Sequence, residues 1–516
     1  MKIACVYTIE AYNSIEKPIG PATAIPFGIS LIATVLKDAG HDVELFVLTP
    51  DTPLDEYIGK YIENEEPSLF CFTAVSSQYE AIKKVANYVR KADEGIFCLL
   101  GGHHSSLNSE DVINHDIFDA ICVGEGEKAV VAFANQFESG LSYSEYKIPN
   151  LIFKDRTNNK VHKNPTGAFN QNLDDLPFLD RTLWDKWVQH PSDYPAILLG
   201  RGCPFKCTYC SNHAMAKLAT GTYVRFRSPQ DIIEEIDYIK GEYPDVERIY
   251  LEVETFGANR KASYAVFDAI AEYNNNLEEP LTFGVNMALS SNYMVHPQRR
   301  KELFSKVNAA NIQTINIGLE TGSERMRKSL ARPKYTNEEI IAFCQDAKKH
   351  NIRIIFYILF GLPNETIEDY FETVRVARAA QPYYCYVSIF FPYLGTDLAD
   401  RAIHMGLVEP DNISLTSERN RSVLDLPGFS KRRIRFEYIV FMWRVYKGYW
   451  SFNKIAVNVL SHFLRAYPKI YSLYFFLSNN FKIVRDISNK FNVYERKFTS
   501  KKLPKTMATR EDFVRD

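Results

Sequence analysis

Two successive series of short apolar runs, each alternating with amphipathic helical stretches, constrain the fold of this chain more than any other feature. In the first 145 residues, helices are predicted near residues 26–39 and 79–92, and the apolar runs read KIACVY, DVELFVL, SLFCFTAV, IFCLLGG and DAICVG. Continuous apolar runs between helices are typical of strands buried on both faces of a parallel sheet. We therefore predict a doubly wound parallel sheet, with its ligand at the carboxyl ends of the strands.

The second series begins at Ala196, and its apolar runs read AILLG, RIYLEVE, LTFGVNM, TINIGLE, RIIFYILFG and YVSIFFPY. Six such strand–helix units predict a partial (β/α)6 barrel of the TIM type, whose active face lies at the strand ends. The chain is therefore predicted to have four parts: the first sheet over 1–145, a polar connector over 146–195, the barrel over 196–400 and a mainly helical region over 401–516.

The cysteine content and the apolar stretches bear on the compartment. Nine cysteines in 516 residues do not indicate the disulfide framework of a secreted protein. The chain opens on a predicted strand instead of a signal peptide. Its most apolar late stretch is interrupted by His462, Arg465, Pro468 and Lys469, whereas a spanning helix needs about 20 nearly uninterrupted apolar residues. We predict a cytoplasmic protein without a transmembrane segment.

The last part of the chain is basic and aromatic. From Lys431 onward it has nineteen Lys and Arg against six Asp and Glu. One interpretation is a helical cap over the barrel, with its charges solvated. The other is contact with an anionic or lipid-linked substrate, or with an anionic membrane face. Nucleic acid is not expected as a partner, because no recognition module is found.

The stretch RGCPFKCTYCS places Cys203, Cys207 and Cys210 within eight residues, without a fourth cysteine. Thiolates cluster in this way for disulfides, for zinc or for iron–sulfur chemistry. A structural zinc site would need a fourth ligand such as His213. We favour a [4Fe–4S] cluster held by three thiolates, because one iron is then left open, as a catalytic metal site requires.

This CxxxCxxC loop after the first barrel strand resembles that of the radical S-adenosylmethionine (SAM) superfamily. The resemblance implies that the amino and carboxylate groups of SAM bind the open iron. It also implies that reductive cleavage of SAM yields a 5′-deoxyadenosyl radical, and that Tyr209 lines the adenine pocket.

Later strand ends resemble the SAM-binding segments of the same family. The second strand, LEVETF, implies Glu254 as the carboxylate for the SAM ammonium group, with Glu252 as the alternative. The other implied SAM residues are Asn286, Glu320, Ser323, Gly361 and Leu362. Arg332 is a secondary candidate, and Glu365 is interpreted as a helix N-terminal carboxylate.

The first sheet resembles the Rossmann-like cobalamin-binding domain of class B radical SAM enzymes, through VSSQ, GGHHSS and VGEGE. The implied cobalamin residues are Ser76, Ser77, Gly101, Gly102, Ser105, Gly124 and Glu125. The DxHxxG motif that supplies an axial histidine elsewhere is absent. The lower face of cobalamin is therefore expected to lack a histidine or to be covered by a side chain such as Tyr79, and His103 and His104 are expected to line the loop. The alternative is a domain that keeps the fold and has lost the cofactor.

Together these resemblances imply a cobalamin-dependent radical SAM methyltransferase. It would abstract hydrogen from an unactivated carbon and transfer a methyl group from methylcobalamin. The expected partners are a small-molecule substrate and a low-potential electron donor of the flavodoxin or ferredoxin type. Two alternatives stay open: a radical SAM enzyme that catalyses a rearrangement, cyclisation or oxidation, and a zinc-stabilised α/β binding protein.

Overall fold

The computed structural model describes residues 1–470, except residues 11, 13, 295, 333, 410–412, 414–418 and 468–469. The chain divides into two compact units. Unit 1 comprises Met1–Asn286 with the short segments Ala309–Ile312 and Tyr393–Asp397. Unit 2 comprises Met287–Asn308, Gln313–Pro392 and the chain from Leu398 onward.

The amino-terminal part of unit 1 alternates strands and helices from the first residues. Its elements, in chain order, are β1 (Lys2–Thr8), β2 (Ile19–Pro21), α1 (Phe27–Asp38), β3 (Asp42–Leu48), α2 (Lys60–Glu65), β4 (Leu69–Thr73), α3 (Tyr79–Ala92), β5 (Phe97–Gly101), α4 (His103–Leu107), α5 (Ser109–Asn114), β6 (Ala120–Cys122), α6 (Glu127–Gln136), β7 (Leu151–Asp155), β8 (Lys160–Lys163) and β9 (Val188–His190).

Seven of these strands form one sheet in the order β3-β1-β4-β5-β6-β7-β8. The first five are parallel, and Cys5 in β1 lies opposite Leu45 of β3 and Cys71 of β4. The central residues of β1 are fully buried, because helices cover both faces of such a sheet. The predicted doubly wound sheet is confirmed.

The sheet extends past the boundary predicted at residue 145. The stretch predicted to be a polar connector contains β7, which pairs antiparallel with β6, and β8, which pairs antiparallel with β7. The turn between them is built from polar residues. Asp155 accepts hydrogen bonds from the backbone and the hydroxyl of Thr157, and Asn159 adopts a left-handed conformation with φ of 58°. Polar turn chemistry therefore concealed a two-strand hairpin.

The rest of unit 1 begins the second alternating series. Its elements are β10 (Ala196–Leu198), β11 (Gly200–Arg201), α7 (Ser211–Met215), β12 (Arg225–Phe226), α8 (Pro229–Glu242), β13 (Arg248–Phe256), α9 (Arg260–Asn275) and β14 (Thr282–Met287). Strands β10, β13 and β14 are neighbours in this order. β10 and β13 are parallel, with Ile197 opposite Leu251.

Unit 2 continues the alternation and ends in helices. Its elements are α10 (Ser291–Met294), α11 (Pro297–Ala309), β15 (Ile312–Glu320), α12 (Glu324–Ser329), α13 (Asn337–Lys349), β16 (Arg353–Phe360), α14 (Ile367–Ala380), β17 (Tyr384–Ile389), α15 (Asp397–His404), α16 (Lys431–Tyr446) and α17 (Phe452–Ala466). Strands β15, β16 and β17 are parallel neighbours. All six strands predicted for the second series are therefore present in the chain.

The described part of the basic, aromatic region is helical, as predicted. Helix α16 buries apolar residues such as Phe441. Its buried Glu437 accepts hydrogen bonds from Arg444 and lies 2.7 Å from Arg433. The hydroxyl of Tyr446 donates to the Cys385 sulfur over 3.3 Å. This packing agrees with the interpretation as a helical cap, whereas the last residues of the basic region lie outside the described part of the chain. Within the described residues, every helix is too short or too polar to cross a bilayer.

Candidate functional site

The loop that carries the three cysteines is closed at its base by a short antiparallel ladder. β11 pairs with β12, with Gly200 opposite Phe226 and Arg201 opposite Arg225. Gly202 has φ of +86°, and a Cβ there would collide with the carbonyl of Tyr223. Only glycine combines this left-handed conformation with so close an approach, so the glycine of RGC holds the ends of the loop together.

The three thiols are not joined in disulfides, and they lie at different depths. Cys207 is buried, whereas Cys203 and Cys210 are partly exposed, and the backbone N–H of Cys210 donates to the carbonyl of Cys207 over 3.1 Å. Desolvation, assisted by the neighbouring Cys207, Cys210 and Glu254, raises the pKa of Cys203 to about 12. The Cys203 thiol is therefore protonated without a metal, and binding to iron would require its deprotonation.

The zinc alternative would use His213 as the fourth ligand, and His213 Nε2 lies 3.4 Å from Asp397 Oδ2. Among the described residues, no three His, Cys, Asp or Glu side chains converge as the ligands of a single metal ion do. A multi-iron cluster binds its thiolates at separate corners and does not need that convergence. The donor set, three cysteines on one closed loop, fits such a cluster.

The two candidate carboxylates of β13 differ in their partners. Glu254 accepts hydrogen bonds from the Asn212 side chain and the Gly202 backbone, although desolvation raises its pKa. Glu252 accepts from the Asn286 amide at 2.8 Å. Desolvation, followed by repulsion from Glu254, raises the pKa of Glu252 to about 7. Glu254 is thus the carboxylate that adjoins the cysteine loop, as its contacts with Gly202 and Asn212 indicate.

Two residues beside this carboxylate were not singled out in the sequence. Asn212 accepts a hydrogen bond from the Tyr223 hydroxyl over 2.6 Å, and Tyr223 lies near Glu254, Cys210 and Cys203, which help to raise its pKa after desolvation. Asn212 could have been predicted from the sequence, because it lies two residues beyond the last cysteine. For Tyr223 the sequence contained no such signal. The predicted adenine residue Tyr209 is partly exposed on the loop, and the neighbouring Thr208 has a buried hydroxyl without a hydrogen-bond partner.

In unit 2, Glu320 ends β15 in an unusual conformation. Its φ is +61°, and the pairing of β15 with β16 shifts register between Gly318 and Glu320. Such bulges re-aim side chains and are frequent beside functional sites. Arg332, the secondary candidate, donates to the carbonyl of Gly318. The structure thus brings Arg332 close to the predicted Glu320 within this unit.

Ser323, predicted as a SAM residue, is buried at the start of α12. It is 1% exposed, its oxygen caps α12 by accepting from the N–H of Met326, and its hydroxyl donates to Asp369 over 2.6 Å. These hydrogen bonds give Ser323 a role in the fold, and its contact with SAM stays a prediction.

The backbone N–H groups of Gly361 and Leu362 both donate to the Glu365 carboxylate, at 2.5 and 3.1 Å. Gly361 has φ of +76°, as this tight turn requires. Burial raises the pKa of Glu365 to about 8, and its second oxygen has no hydrogen-bond partner. Glu365 therefore organises the turn of Gly361 and Leu362, which the resemblance assigns to SAM binding. This agrees with its interpretation as a carboxylate at the start of a helix.

The predicted cobalamin residues lie at the carboxyl ends of β4, β5 and β6. Ser76 and Ser77 begin a 3-10 turn after β4. Gly101 ends β5, and Gly102 follows it with φ of +98°, where a Cβ would lie 2.6 Å from the Ala74 carbonyl. The backbone here is therefore drawn tightly against the end of β4. These residues share the strand edge where a doubly wound sheet binds its ligand.

Three buried polar atoms near this edge lack hydrogen-bond partners: Thr8 Oγ1, Tyr79 Oη and His104 Nε2. The ring of Tyr79 packs on that of His104 at 4.0 Å between centroids, and His104 Nδ1 lies 3.3 Å from Ser76 Oγ. Burial lowers the pKa of His104 to about 4, so its imidazole is neutral at pH 7. Unsatisfied polar atoms at a strand edge fit a polar ligand there, because burying them without one costs free energy.

Two of the predicted cobalamin residues have other partners. Ser105 is fully buried, and its hydroxyl contacts the carbonyls of Gly102 and Cys122, each at 3.1 Å. Its hydroxyl is therefore already engaged within the fold. Gly124 has φ of +88°, and its N–H donates to Ser106 over 3.0 Å.

Glu125 is directed to the cysteine loop instead of the ligand edge. Its carboxylate contacts Arg225 at 2.8 and 3.1 Å and Arg201 at 3.0 Å, and it accepts from the N–H of Asn170 at 2.7 Å. Desolvation opposes its ionisation, but Arg225, Arg201 and Asn170 together hold its pKa below the usual range. The role of Glu125 as a cobalamin residue stays a prediction, and the partners that the structure gives it are at the base of the cysteine loop.

Comparison with known proteins matches two parts of the chain to family models. Residues 197–377 match the family model of the radical SAM superfamily, and residues 21–134 match that of the B12 binding domain. The chain is 25% identical over 400 residues to the uncharacterized methyltransferase PH0819 of Pyrococcus horikoshii, which covers 77% of this chain and 82% of that relative.

A second relative is the anaerobic magnesium-protoporphyrin IX monomethyl ester cyclase of Rubrivivax gelatinosus, with 23% identity over 379 residues. The match covers 72% of this chain and 65% of the cyclase. Among solved structures, the cobalamin-dependent SAM radical enzyme OxsB, determined with aqua-cobalamin and SAM, has a TM-score of 0.66 at 14% identity. That match covers 96% of this chain and 75% of OxsB, and it confirms the predicted fold class.

Proposed function

We propose that this chain, which belongs to the cobalamin-dependent radical SAM enzymes, is a methyltransferase that acts on an unactivated carbon of a small molecule. One observation carries the proposal. Within unit 1, a closed loop with three cysteines outside any disulfide adjoins the carboxylate Glu254, and the same unit contains the sheet that matches the B12 binding domain.

In this proposal, Cys203, Cys207 and Cys210 hold a [4Fe–4S] cluster. The bound cluster supplies a low-potential electron and an open iron position. Glu254 binds the ammonium group of SAM, since a charge-assisted hydrogen bond between ammonium and carboxylate is stronger than a neutral one. Asn212 and the Gly202 backbone hold Glu254 in place. Tyr209, Asn286, Glu320, Gly361 and Leu362 stay proposed SAM contacts.

Cobalamin, when bound, supplies a carrier for a methyl group. Its proposed contacts are Ser76, Ser77, Gly101 and Gly102, together with the unsatisfied polar atoms of Tyr79 and His104. Tyr79 is buried at 4% exposure and stacks on His104. This stack would present a neutral aromatic surface to the bound cofactor at pH 7.

The proposal predicts a product balance. Each methylation consumes two SAM molecules and two electrons from a donor of the flavodoxin or ferredoxin type. It yields one S-adenosylhomocysteine, one methionine and one 5′-deoxyadenosine for each methyl group gained by the substrate. The two electrons are the reason that an external low-potential donor is required.

The deciding experiment is anaerobic reconstitution of the full chain with iron, sulfide and hydroxocobalamin, followed by reduction in the presence of SAM. Iron content, absorbance spectra and 5′-deoxyadenosine formation are measured. Cys203→Ala, Cys207→Ala and Cys210→Ala are expected to abolish 5′-deoxyadenosine formation. Cys344→Ala, at a buried cysteine of α13, is the matched control and keeps it. Zinc binding without iron or sulfide would sink the proposal.

A second candidate function is favoured by the cyclase relative: radical chemistry that forms a ring or oxidises the substrate without adding a carbon. SAM labelled with ¹³C and deuterium in its methyl group separates the two candidates. Label in the substrate product supports methyl transfer, whereas 5′-deoxyadenosine formed with an unlabelled product supports the second candidate.

The expected surroundings of the enzyme belong to the same proposal. We place it in the cytoplasm, with a small-molecule substrate that is anionic or lipid-linked and without nucleic acid. We also propose that the basic carboxyl-terminal region makes peripheral contact with an anionic membrane. Co-sedimentation of the full chain with anionic and with neutral vesicles tests it directly, because only electrostatic binding distinguishes the two.

A further inference from the structure

Four charged side chains form one network between the loop after β6 and the base of the cysteine loop. Glu125 contacts Arg201 at 3.0 Å and Arg225 at 2.8 and 3.1 Å. Glu127 contacts Arg201 at 2.6 Å. The four side chains are mostly buried, Arg225 being only 4% exposed. We define these four residues as the charge clamp.

The two arginines stand on opposite sides of the cysteine loop. Arg201 ends β11, two residues before Cys203, and Arg225 begins β12, where the loop returns. They are opposite each other in the ladder, so their like charges lie close together. Glu125 contacts both, and therefore it holds together two strands whose charges would otherwise repel.

Burial makes this arrangement sensitive to the loss of one partner. A largely buried arginine that loses its carboxylate is left with a charge that neither water nor protein compensates. Arg225 also donates to the Asn170 carbonyl over 2.6 Å, so it is tied in place and cannot swing out freely. Removal of the Glu125 charge would thus leave excess positive charge at the base of the cysteine loop.

We propose that Glu125 is a positioning residue for the iron–sulfur cluster: it clamps both ends of the cysteine loop and sets the reduction potential of the cluster held there. The inference rests on the proposed function, since it presumes a cluster on the three cysteines. It goes beyond the sequence resemblance, which implied a cobalamin contact at this position. Net charge around a cluster is one of the determinants of its potential.

The test compares Glu125→Gln with the parent chain after anaerobic reconstitution with iron and sulfide alone, without cobalamin. The midpoint potential is measured by redox titration of the EPR signal of the reduced cluster. The rate of cluster loss in air is measured by absorbance. Glu125→Gln is expected to shift the potential in the positive direction, because the uncompensated arginine charge favours the reduced, more negative cluster. It should also speed cluster loss several-fold, because the loop is no longer clamped.

The matched control is Glu110→Gln, which removes an exposed carboxylate that pairs with Lys163 at 3.1 Å elsewhere in unit 1; it should leave both quantities at the parent values. The double variant with Glu125→Gln and Arg225→Gln restores the charge balance. Its potential should return toward the parent value while its cluster stays labile. If Glu125 only supported the fold, the midpoint potential and the rate of cluster loss would not respond differently to the second substitution.

Parent values for both quantities in Glu125→Gln would overturn the inference. Should that variant fail to fold, the double variant with Glu125→Gln and Arg225→Gln decides, because it removes the Glu125 carboxylate without leaving an unbalanced arginine. Cluster loss faster than in the parent supports the inference, and the parent rate overturns it. A parent chain that assembles no cluster would instead refute the proposed function itself, so the two failures are distinguishable.

Discussion

Asn286 of β14 donates its side-chain amide to the Glu252 carboxylate of β13 over 2.8 Å and accepts a hydrogen bond from the Tyr250 hydroxyl over 2.5 Å. Asn286 therefore ties Glu252 to a tyrosine and occupies one of its oxygens. The pKa of Glu252 is about 7 because burial and the neighbouring Glu254 both disfavour its charge. Glu252 and Glu254 thus differ in their hydrogen-bond partners. This difference distinguishes Glu254, the first choice for binding SAM, from the alternative, Glu252.

The first prediction separates these two carboxylates. Glu254→Gln should weaken SAM binding about tenfold or more, because it removes a charge-assisted hydrogen bond worth about 1.5–3 kcal/mol. Glu252→Gln should weaken it less, since Glu252 is partly protonated at neutral pH and is held by Asn286. Equilibrium dialysis of SAM with reconstituted protein measures both. A larger loss for Glu252→Gln would reverse the assignment.

The second prediction uses two adjacent glycines at the cobalamin edge. Gly102→Ala should destabilise the fold by about 1–3 kcal/mol, because its φ is +98° and its Cβ would lie 2.6 Å from the Ala74 carbonyl. Gly101→Ala meets its nearest atoms only at 3.9 Å and should fold normally.

Gly101→Ala should nevertheless retain less hydroxocobalamin, because the added methyl group obstructs close approach of the cofactor. Thermal melts and absorbance after gel filtration measure the two effects. Gly28→Ala, with no atom within 4 Å of the added Cβ, serves as control. Full cobalamin retention by Gly101→Ala would contradict its predicted role.

The third prediction concerns Ser323 as a structural residue. Ser323→Ala should cost about 2–3 kcal/mol of stability, because it removes a helix cap and leaves buried Asp369 without one hydrogen bond. SAM affinity should stay unchanged. Ser228→Ala removes only the cap of α8 and should cost about 1 kcal/mol. Urea denaturation and SAM dialysis check these values, and loss of SAM affinity with intact stability would instead support the predicted contact of Ser323 with SAM.

The fourth prediction is a pH dependence that originates at Glu365. Its pKa is about 8 in the folded chain and near 4.5 when unfolded, so the folded state retains the proton more strongly. The stabilisation is complete below pH of about 4.5 and is lost as the pH rises through about 8. Glu365→Gln should remove this loss, which we expect to be on the order of a few kcal/mol.

The check is the difference in melting temperature between the Glu365→Gln variant and the parent at pH 6 and pH 9. The variant should gain relative to the parent at the higher pH. Glu368→Gln, at an exposed position in the same helical turn, should show no such gain. Equal pH profiles for Glu365→Gln and the parent would contradict the buried, protonated state of Glu365.

The local sequence pattern was sufficient to predict many of the helices and strands of this protein. The helix predicted over 79–92 is α3, and the runs KIACVY and DVELFVL are strands β1 and β3, because buried parallel strands must be apolar along their whole length. The three cysteines and the carboxylates of β13 were also identified from spacing and from the family resemblance. The hairpin of β7 and β8 was missed, because the polar residues of its turn dominate the local composition.

Chemistry that is local in the chain, such as thiols in one loop or an apolar strand, was therefore determined by the sequence alone. Only the tertiary structure decided which partner each polar side chain has. Glu125 contacts Arg201 and Arg225, which lie 76 and 100 residues away. Ser323 is held by Asp369, 46 residues further on. The physical reason is that a buried charge or hydroxyl takes whichever partner the fold brings within hydrogen-bonding distance, and nothing in the neighbouring residues encodes that choice.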